Sequence, residues 1–236
     1  MLKIYHAPMT RSLRVIWLCE ELGLPIEIET ISFHPEFRFS EEWLSRHPVG
    51  KVPVMEDDDF SMFESGAMIQ YILDRYGDGQ LQPAHGTTQH AEFLQWNWFA
   101  ESTFCRPLGE IVNHRRNFDP PLPDVVFEME RRSEKCLRAI DDVLADREYI
   151  LGDFSAADIM LGYCFILVEN FTTILEGGYS NANEYWGAWR GGIQQGLIHP
   201  IKGAGPSSSR KIWYTFMNRY RRELLKEKKT QKLFYK

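Results

Sequence analysis

The sequence predicts an α/β domain followed by an all-helical one. Two observations carry this. As far as about residue 77 the apolar residues follow the order β-α-β-loop-β-β-α, and from Gln89 onward the periodicity is helical with few strand signals. Between the two, residues 77–88 are enriched in Gly, Pro and Asp, the composition of a connecting segment. The division that follows is residues 1–79 for the first domain, 80–88 for a linker and 89–236 for the second; 236 residues suffice for two modest domains.

Each element has its own signal. Residues 2–6 alternate and then meet Pro8, a short strand running into a loop. Leu13, Ile16, Trp17 and Cys19 recur at helical spacing within residues 12–22, and Gly23 stands where a glycine stops a helix. Ile26, Ile28 and Thr30 alternate with acids as a second strand. Residues 33–50 are irregular, with a short helix expected at 40–46. Val52 to Met55, an acidic turn at residues 56–59, and Phe60 to Phe63 form a hairpin pattern. Met68, Ile69, Tyr71, Ile72 and Tyr76 then trace a helix ending near Gly77.

In the second half, Phe93, Trp96, Phe99 and Ala100 mark one helix, residues 127–144 another and 156–171 a third, with a Pro-rich break at 119–123. The third opens on Ser155 and Asp158, spaced as a capping box with Phe154 as its staple. Beyond about Tyr185 come Gly-rich stretches at 187–196 and 203–209. In the basic end that follows, Ile212, Phe216, Tyr220 and Leu224 recur every four residues, a helix with one apolar face and a cationic back.

The bulk numbers narrow the function class. With 44% hydrophobic and 25% charged residues the chain is globular, and 14% aromatics suit either a core or an apolar ligand pocket. The net charge of -6 is uneven: residues 202–236 hold eleven Lys or Arg against two Glu. That asymmetry is read as the solvated face of a terminal helix, with neither nucleic acid nor a membrane as partner. The start lacks a charged, then apolar, leader, and no apolar run reaches about 18 residues, so a soluble cytoplasmic protein is expected. Cys19, Cys105, Cys136 and Cys164 lie far apart and are read as reduced, buried thiols. No His spacing, phosphate loop or nucleophile elbow suggests a metal or a nucleotide cofactor.

Chemistry gathers at two places in the first domain. Pro53 sits in an apolar run that reads as a buried strand, where an imino acid cannot donate to the ladder. A cis Val52-Pro53 bond would turn the Val52 amide and carbonyl outward. Eleven residues later, Glu64-Ser65 opens a helix, where unpaired amides and the dipole favour a carboxylate ligand.

Together with the Tyr5-x-x-Pro8 loop, these residues resemble the cytosolic glutathione transferase family, of theta-, beta- or nu-like class. Its first domain is thioredoxin-like and its second a helical bundle. The resemblance covers about residues 2–76, and the Phe154 to Asp158 box resembles the family's second-domain helix start. It implies that Val52 and Pro53 pair with the cysteinyl part of glutathione as an added strand. Glu64 and Ser65 would hold the γ-glutamyl amino and carboxylate groups, and Lys51 the glycyl carboxylate. Trp96, Phe99 and Phe104, beside Glu101, would line the second-substrate pocket, although a core stripe explains these aromatics equally well. Glutathione is then a co-substrate and no separate cofactor is implied. A small hydrophobic electrophile is the second substrate, detoxification the setting, and a homodimer the assembly.

The reaction needs a thiolate, since a free thiol near pKa 8.5 is mostly protonated at neutral pH. In the family a Tyr, Ser or Cys after the first strand donates to sulfur. Counting back from Arg14, Thr10 falls where theta- and delta-like members carry Ser, and Arg11 where beta-like members carry Cys. Thr10 and Ser12 are therefore the candidate donors, with backbone amides alone as the third reading and helix capping as the role a hydroxyl has without catalysis. Arg11 and Arg14 are expected near the thiolate or a subunit interface, with at least one of them solvated. Besides conjugation, a glutathione-dependent reductase of disulfides or peroxides and a non-catalytic binding module both fit the sequence.

Overall fold

The computed structural model describes residues 1–120 and 122–195. The first domain is a four-stranded sheet in the order β2-β1-β3-β4, built from β1 (Leu2–His6), β2 (Ile26–Thr30), β3 (Val54–Asp57) and β4 (Phe60–Phe63). β2 runs parallel to β1, while β3 and β4 are antiparallel to their neighbours. Central β1 is almost wholly buried and edge β2 is not.

One consequence of the register matters for function. Tyr5 pairs with Val54, and Val54 with Phe63, so the chain leaves β1, enters β3 and leaves β4 at the same end of the sheet. Three connections therefore converge there: residues 7–11, 51–53 and 64–65.

The helix α1 (Ser12–Glu21) ends as its sequence dictates. Gly23 takes φ +66° and donates to Glu20 O, while Leu24 donates to Cys19 O, the paired bonds of a Schellman stop. The α3 helix (Glu41–Arg46) is capped by Ser40, whose hydroxyl accepts from the Trp43 amide. A further turn of helix, α2 (Pro35–Arg38), escaped the periodicity because four residues are too few to show one. The α4 helix spans Ser65–Tyr76.

Two expectations are corrected. Pro53 does not interrupt a strand: β3 begins at Val54, so the missing N–H costs no ladder bond. The hairpin turn is only Asp58 and Asp59, with Glu56 and Asp57 inside the strand. Asp57 is tolerated there because Tyr71 and Tyr76 both donate to its Oδ2, at 2.7 and 2.6 Å.

The second half is helical: α5 (Thr88–Trp98), a π-helical segment (Phe99–Phe104), α6 (Cys105–Asn117), α7 (Pro123–Val143), α8 (Ala156–Phe171), a 3₁₀ turn (Ile174–Gly177) and α9 (Ser180–Gln195). Every residue of α8 from Ala156 to Val168 is buried, which makes it the central helix of the bundle. Its capping box forms as the sequence predicts. The Gly-rich stretch after Tyr185 lies in α9 as far as Gln195. The part of α9 before it packs on the bundle, with Ala182, Tyr185 and Trp186 buried and Trp186 stacked on Phe165 at 5.6 Å. The helix expected around Ile212 to Leu224 lies outside the described residues. Among the described residues no helix is long and apolar enough to cross a membrane.

The halves meet closely. A Cβ on Gly162 of α8 would lie 2.6 Å from a ring carbon of Trp17 on α1. All four cysteines are buried free thiols.

Candidate functional site

The first connection supplies hydroxyls. Thr10 and Ser12 stand at the head of α1 with their oxygens 2.7 Å apart. Thr10 donates to the Ala7 carbonyl at 2.7 Å, and Ser12 Oγ lies 2.7 Å from His6 Nδ1. Ser12 is fully buried while Thr10 is 9% exposed, so Ser12 supports Thr10 from within. Met9 holds the loop at φ +61°, a conformation few side chains adopt, and its carbonyl accepts from Tyr163 on α8 at 3.1 Å.

The second and third connections supply backbone and charge. Val52-Pro53 is cis, Val52 is 8% exposed, and Trp43 pins the preceding carbonyl by donating from Nε1 to Lys51 O at 3.2 Å. The Lys51 side chain is exposed. Glu64, at φ +76°, precedes α4 without capping it, so its side chain satisfies none of the first amides of that helix, which opens on buried Ser65. A non-glycine residue held at such a φ stores strain that the surroundings must enforce. His47 is buried against the Phe63 ring at 4.8 Å, and burial draws its pKa down against the opposing pull of Glu64.

A charged cluster lies beneath. Glu101, in the π-helical segment, accepts from Arg11 at 2.8 Å and from Arg14 Nη1. Arg14 also reaches Ser65 Oγ at 3.4 Å and Cys164 Sγ at 3.7 Å, and its guanidinium lies 4.9 Å from the Tyr163 ring centre. It has no exposed surface. Burial works against both charges, yet Arg14 and Arg11 hold Glu101 below the usual carboxylate range, while Cys105 and Glu101 keep Arg14 charged. A hydrogen bond from Cys164, aided by Arg14 and Arg11, draws the Cys105 thiol down to about 7.

Residues 1–74 match the family described as Glutathione S-transferase, N-terminal domain. The first domain belongs to the glutathione S-transferase family. Glutathione S-transferase hmp2 of Hypomyces subiculosus is 26% identical over 82% of this chain and 93% of its own length. Elongation factor 1-gamma 2 of Oryza sativa is 27% identical over 56% of this chain and 33% of its own length. Among solved structures, the glutathione transferase URE2P8 from Phanerochaete chrysosporium, solved with oxidized glutathione, superposes with a TM-score of 0.77 at 19% identity, covering 94% of this chain and 96% of that one. The thioredoxin-like domain and the helical domain are thus both those of the glutathione S-transferase fold.

Against that glutathione S-transferase fold, the sequence-predicted residues fall into two groups. Thr10, Ser12, Val52, Pro53, Glu64 and Ser65 come to one end of the sheet, with Lys51 at its rim. Trp96 and Phe104 do not present a wall: they are 6% and 0% exposed and packed in the core, with Phe104 edge-on to Phe165 at 6.4 Å. Phe99, half-buried, packs on both. Of the two arginines, Arg14 is the buried hub of the cluster and Arg11, with its side chain 35% exposed, is the partly solvated one. Sequence reasoning also missed His6, His47 and Tyr163. Only the buried strand end signalled His6; nothing local marked the other two.

Proposed function

We propose that the chain is a glutathione transferase that joins the glutathione thiolate to a small hydrophobic electrophile. The observation that carries this reading is the placing of Ser65 and Thr10: one buried at the head of α4, the other at the head of α1, at the same end of the sheet. The amides of α4 and the Ser65 hydroxyl suit a γ-glutamyl carboxylate, and the Glu64 carboxylate suits the neighbouring ammonium. The Val52 backbone pairs with the cysteinyl unit as an added strand, and Lys51 takes the glycyl carboxylate.

Thr10 then faces the sulfur. The thiol gives its proton to water, the Thr10 hydroxyl donates to the resulting thiolate, and the thiolate attacks the electrophilic carbon, forming the C–S bond as the leaving group departs. Lowering a thiol pKa by two units takes about 2.7 kcal/mol, within reach of one charge-assisted bond plus the α1 dipole. Phe99, backed by Trp96 and Phe104, is assigned to the side taken by the second substrate. No separate cofactor takes part, and the working form is a homodimer.

Conjugation rates on a panel of aryl and benzyl halides test the reading, with sedimentation velocity for the dimer. Turnover on at least one panel member, reduced at least tenfold in Thr10→Ala, is expected. A second reading is favoured by the oxidized glutathione in the URE2P8 structure: reduction of a hydroperoxide by two glutathiones, giving alcohol, water and glutathione disulfide. Glutathione disulfide production from a hydroperoxide, without conjugation, would select it. Glutathione binding with neither activity would instead match a binding module, the role toward which the elongation factor relatives lean.

A further inference from the structure

His6 is fully buried at the end of β1, and the proposed reaction has given it no part. The direction of the contact at its Nδ1 follows from counting protons. Three consecutive contacts are each 2.7 Å: His6 Nδ1 to Ser12 Oγ, Ser12 Oγ to Thr10 Oγ1, and Thr10 Oγ1 to the Ala7 carbonyl. A carbonyl oxygen only accepts, so the Thr10 proton lies toward Ala7. Thr10 has no second proton, so Ser12 donates to it. Ser12 has then spent its own, so His6 donates from Nδ1. The reverse order, with Ser12 donating to His6, leaves Thr10 and the Ala7 oxygen at 2.7 Å with no proton between them.

We infer that His6 is a positioning residue for the sulfur donor: its Nδ1–H, given to Ser12, turns the Ser12 hydroxyl toward Thr10 and fixes the direction of the whole chain. Thr10 thereby accepts from behind; without sulfur its one proton lies on the Ala7 carbonyl, and on glutathione binding the hydroxyl turns that proton from Ala7 to the thiolate while still accepting from Ser12. The inference rests on the reading of Thr10 as that donor. A hydroxyl that accepts one bond donates a stronger one, so each link polarises the next. The opposite tautomer would draw the Ser12 proton to His6 and the Thr10 proton to Ser12, away from sulfur. Burial alone draws the His6 pKa down to about 4, so the ring is neutral in the working range and holds one proton, whose placing is the point at issue.

Two measurements test this. In protein carrying ¹⁵N-labelled histidine, the His6 ring nitrogens should report a protonated Nδ1 at pH 7; a bare Nδ1 overturns the inference, and no variant is needed. Second, the thiolate absorbance of bound glutathione is followed against pH in wild type, His6→Leu, His6→Asn and Thr10→Ala. Asparagine can place an amide N–H near the Nδ1 position. A rise in thiol pKa of about one unit in His6→Leu, largely reversed in His6→Asn, is expected. An unchanged pKa in His6→Leu, while Thr10→Ala raises it, refutes the role of His6 alone. An unchanged pKa in Thr10→Ala refutes the reading of Thr10 beneath it.

Discussion

Arg14 on α1 donates to Glu101 in the π-helical segment, an ion pair that joins the two domains where Arg14 has no exposed surface. The same guanidinium reaches Ser65, so the contact between domains and the head of α4 share one side chain.

Breaking this pair from one side should be costly. Arg14→Met leaves Glu101 dependent on Arg11 alone and is expected to lower unfolding free energy by about 3 kcal/mol, as for other buried pairs. Glu101→Gln alone strands the fully buried Arg14, whereas the double variant Arg14→Met with Glu101→Gln leaves only Arg11, whose side chain is 35% exposed, without its carboxylate, so the double variant should cost less than the sum of the two single ones. Urea denaturation of the three variants checks this; an additive double variant would refute the coupling.

Glu64 should trade stability for binding. Its φ of +76° costs a non-glycine residue about 1–3 kcal/mol, while glycine adds back about 0.5–1 kcal/mol of chain entropy. Glu64→Gly is therefore expected to be more stable by about 1 kcal/mol and to bind glutathione more weakly. A variant both less stable and equal in affinity would contradict this.

Gly162 has no room for a methyl group, since a Cβ would meet Trp17 ring atoms at 2.6 and 2.9 Å. Trp17 cannot easily yield, being 2% exposed with its Nε1 donating to Glu21 at 2.9 Å. Overpacking costs about 1–3 kcal/mol against a helix propensity gain of about 1 kcal/mol. Gly162→Ala should therefore lower Tm by about 2–4 °C.

Asp158 gives a pH dependence of unusual sign. Its carboxylate accepts from the Ile150 and Ser155 amides, the Ser155 hydroxyl and Tyr185, but burial outweighs these and lifts its pKa to about 6. The unfolded value is about 3.9. Between roughly pH 4 and 6 the folded chain keeps a proton the unfolded chain has lost, so this contribution falls as pH rises. Wild type should lose stability relative to Asp158→Asn across that window, by urea midpoints at both ends. Asp158→Ala, which strands all four donors, should cost about 3 kcal/mol at either pH.

His6 has the opposite sign. Its pKa of about 4 when folded lies below the unfolded value of about 6.5. Its contribution is complete above pH ~6.5 and lost as pH falls toward 4. The His6 ring resonances should accordingly titrate near pH 4, and a midpoint near 6.5 would place the ring in solvent.

What could be read from the sequence was local. The Ser155–Asp158 box, the Gly23 stop and the Glu64-Ser65 helix head each lie within a few residues, and their chemistry does not depend on distant packing. Arg14 and Glu101 are 87 residues apart, and only the folded chain shows that an arginine on a helix face is buried. The aromatics of residues 96–104 show a related limit. Periodicity groups them on one face, but the π-helical segment changes the angular step after Trp98, so spacing alone cannot place Phe104, and the burial of Trp96 depends on what packs against α5. The His6 relay needed side-chain distances that no strand pattern contains.

Titration calorimetry with reduced glutathione decides whether the three connections at one end of the sheet form its binding site. Saturable binding is predicted for the wild type, weakened at least tenfold, about 1.4 kcal/mol, by Ser65→Ala and by Glu64→Gln. No binding heat with wild type, or equal affinities in all three proteins, would contradict it.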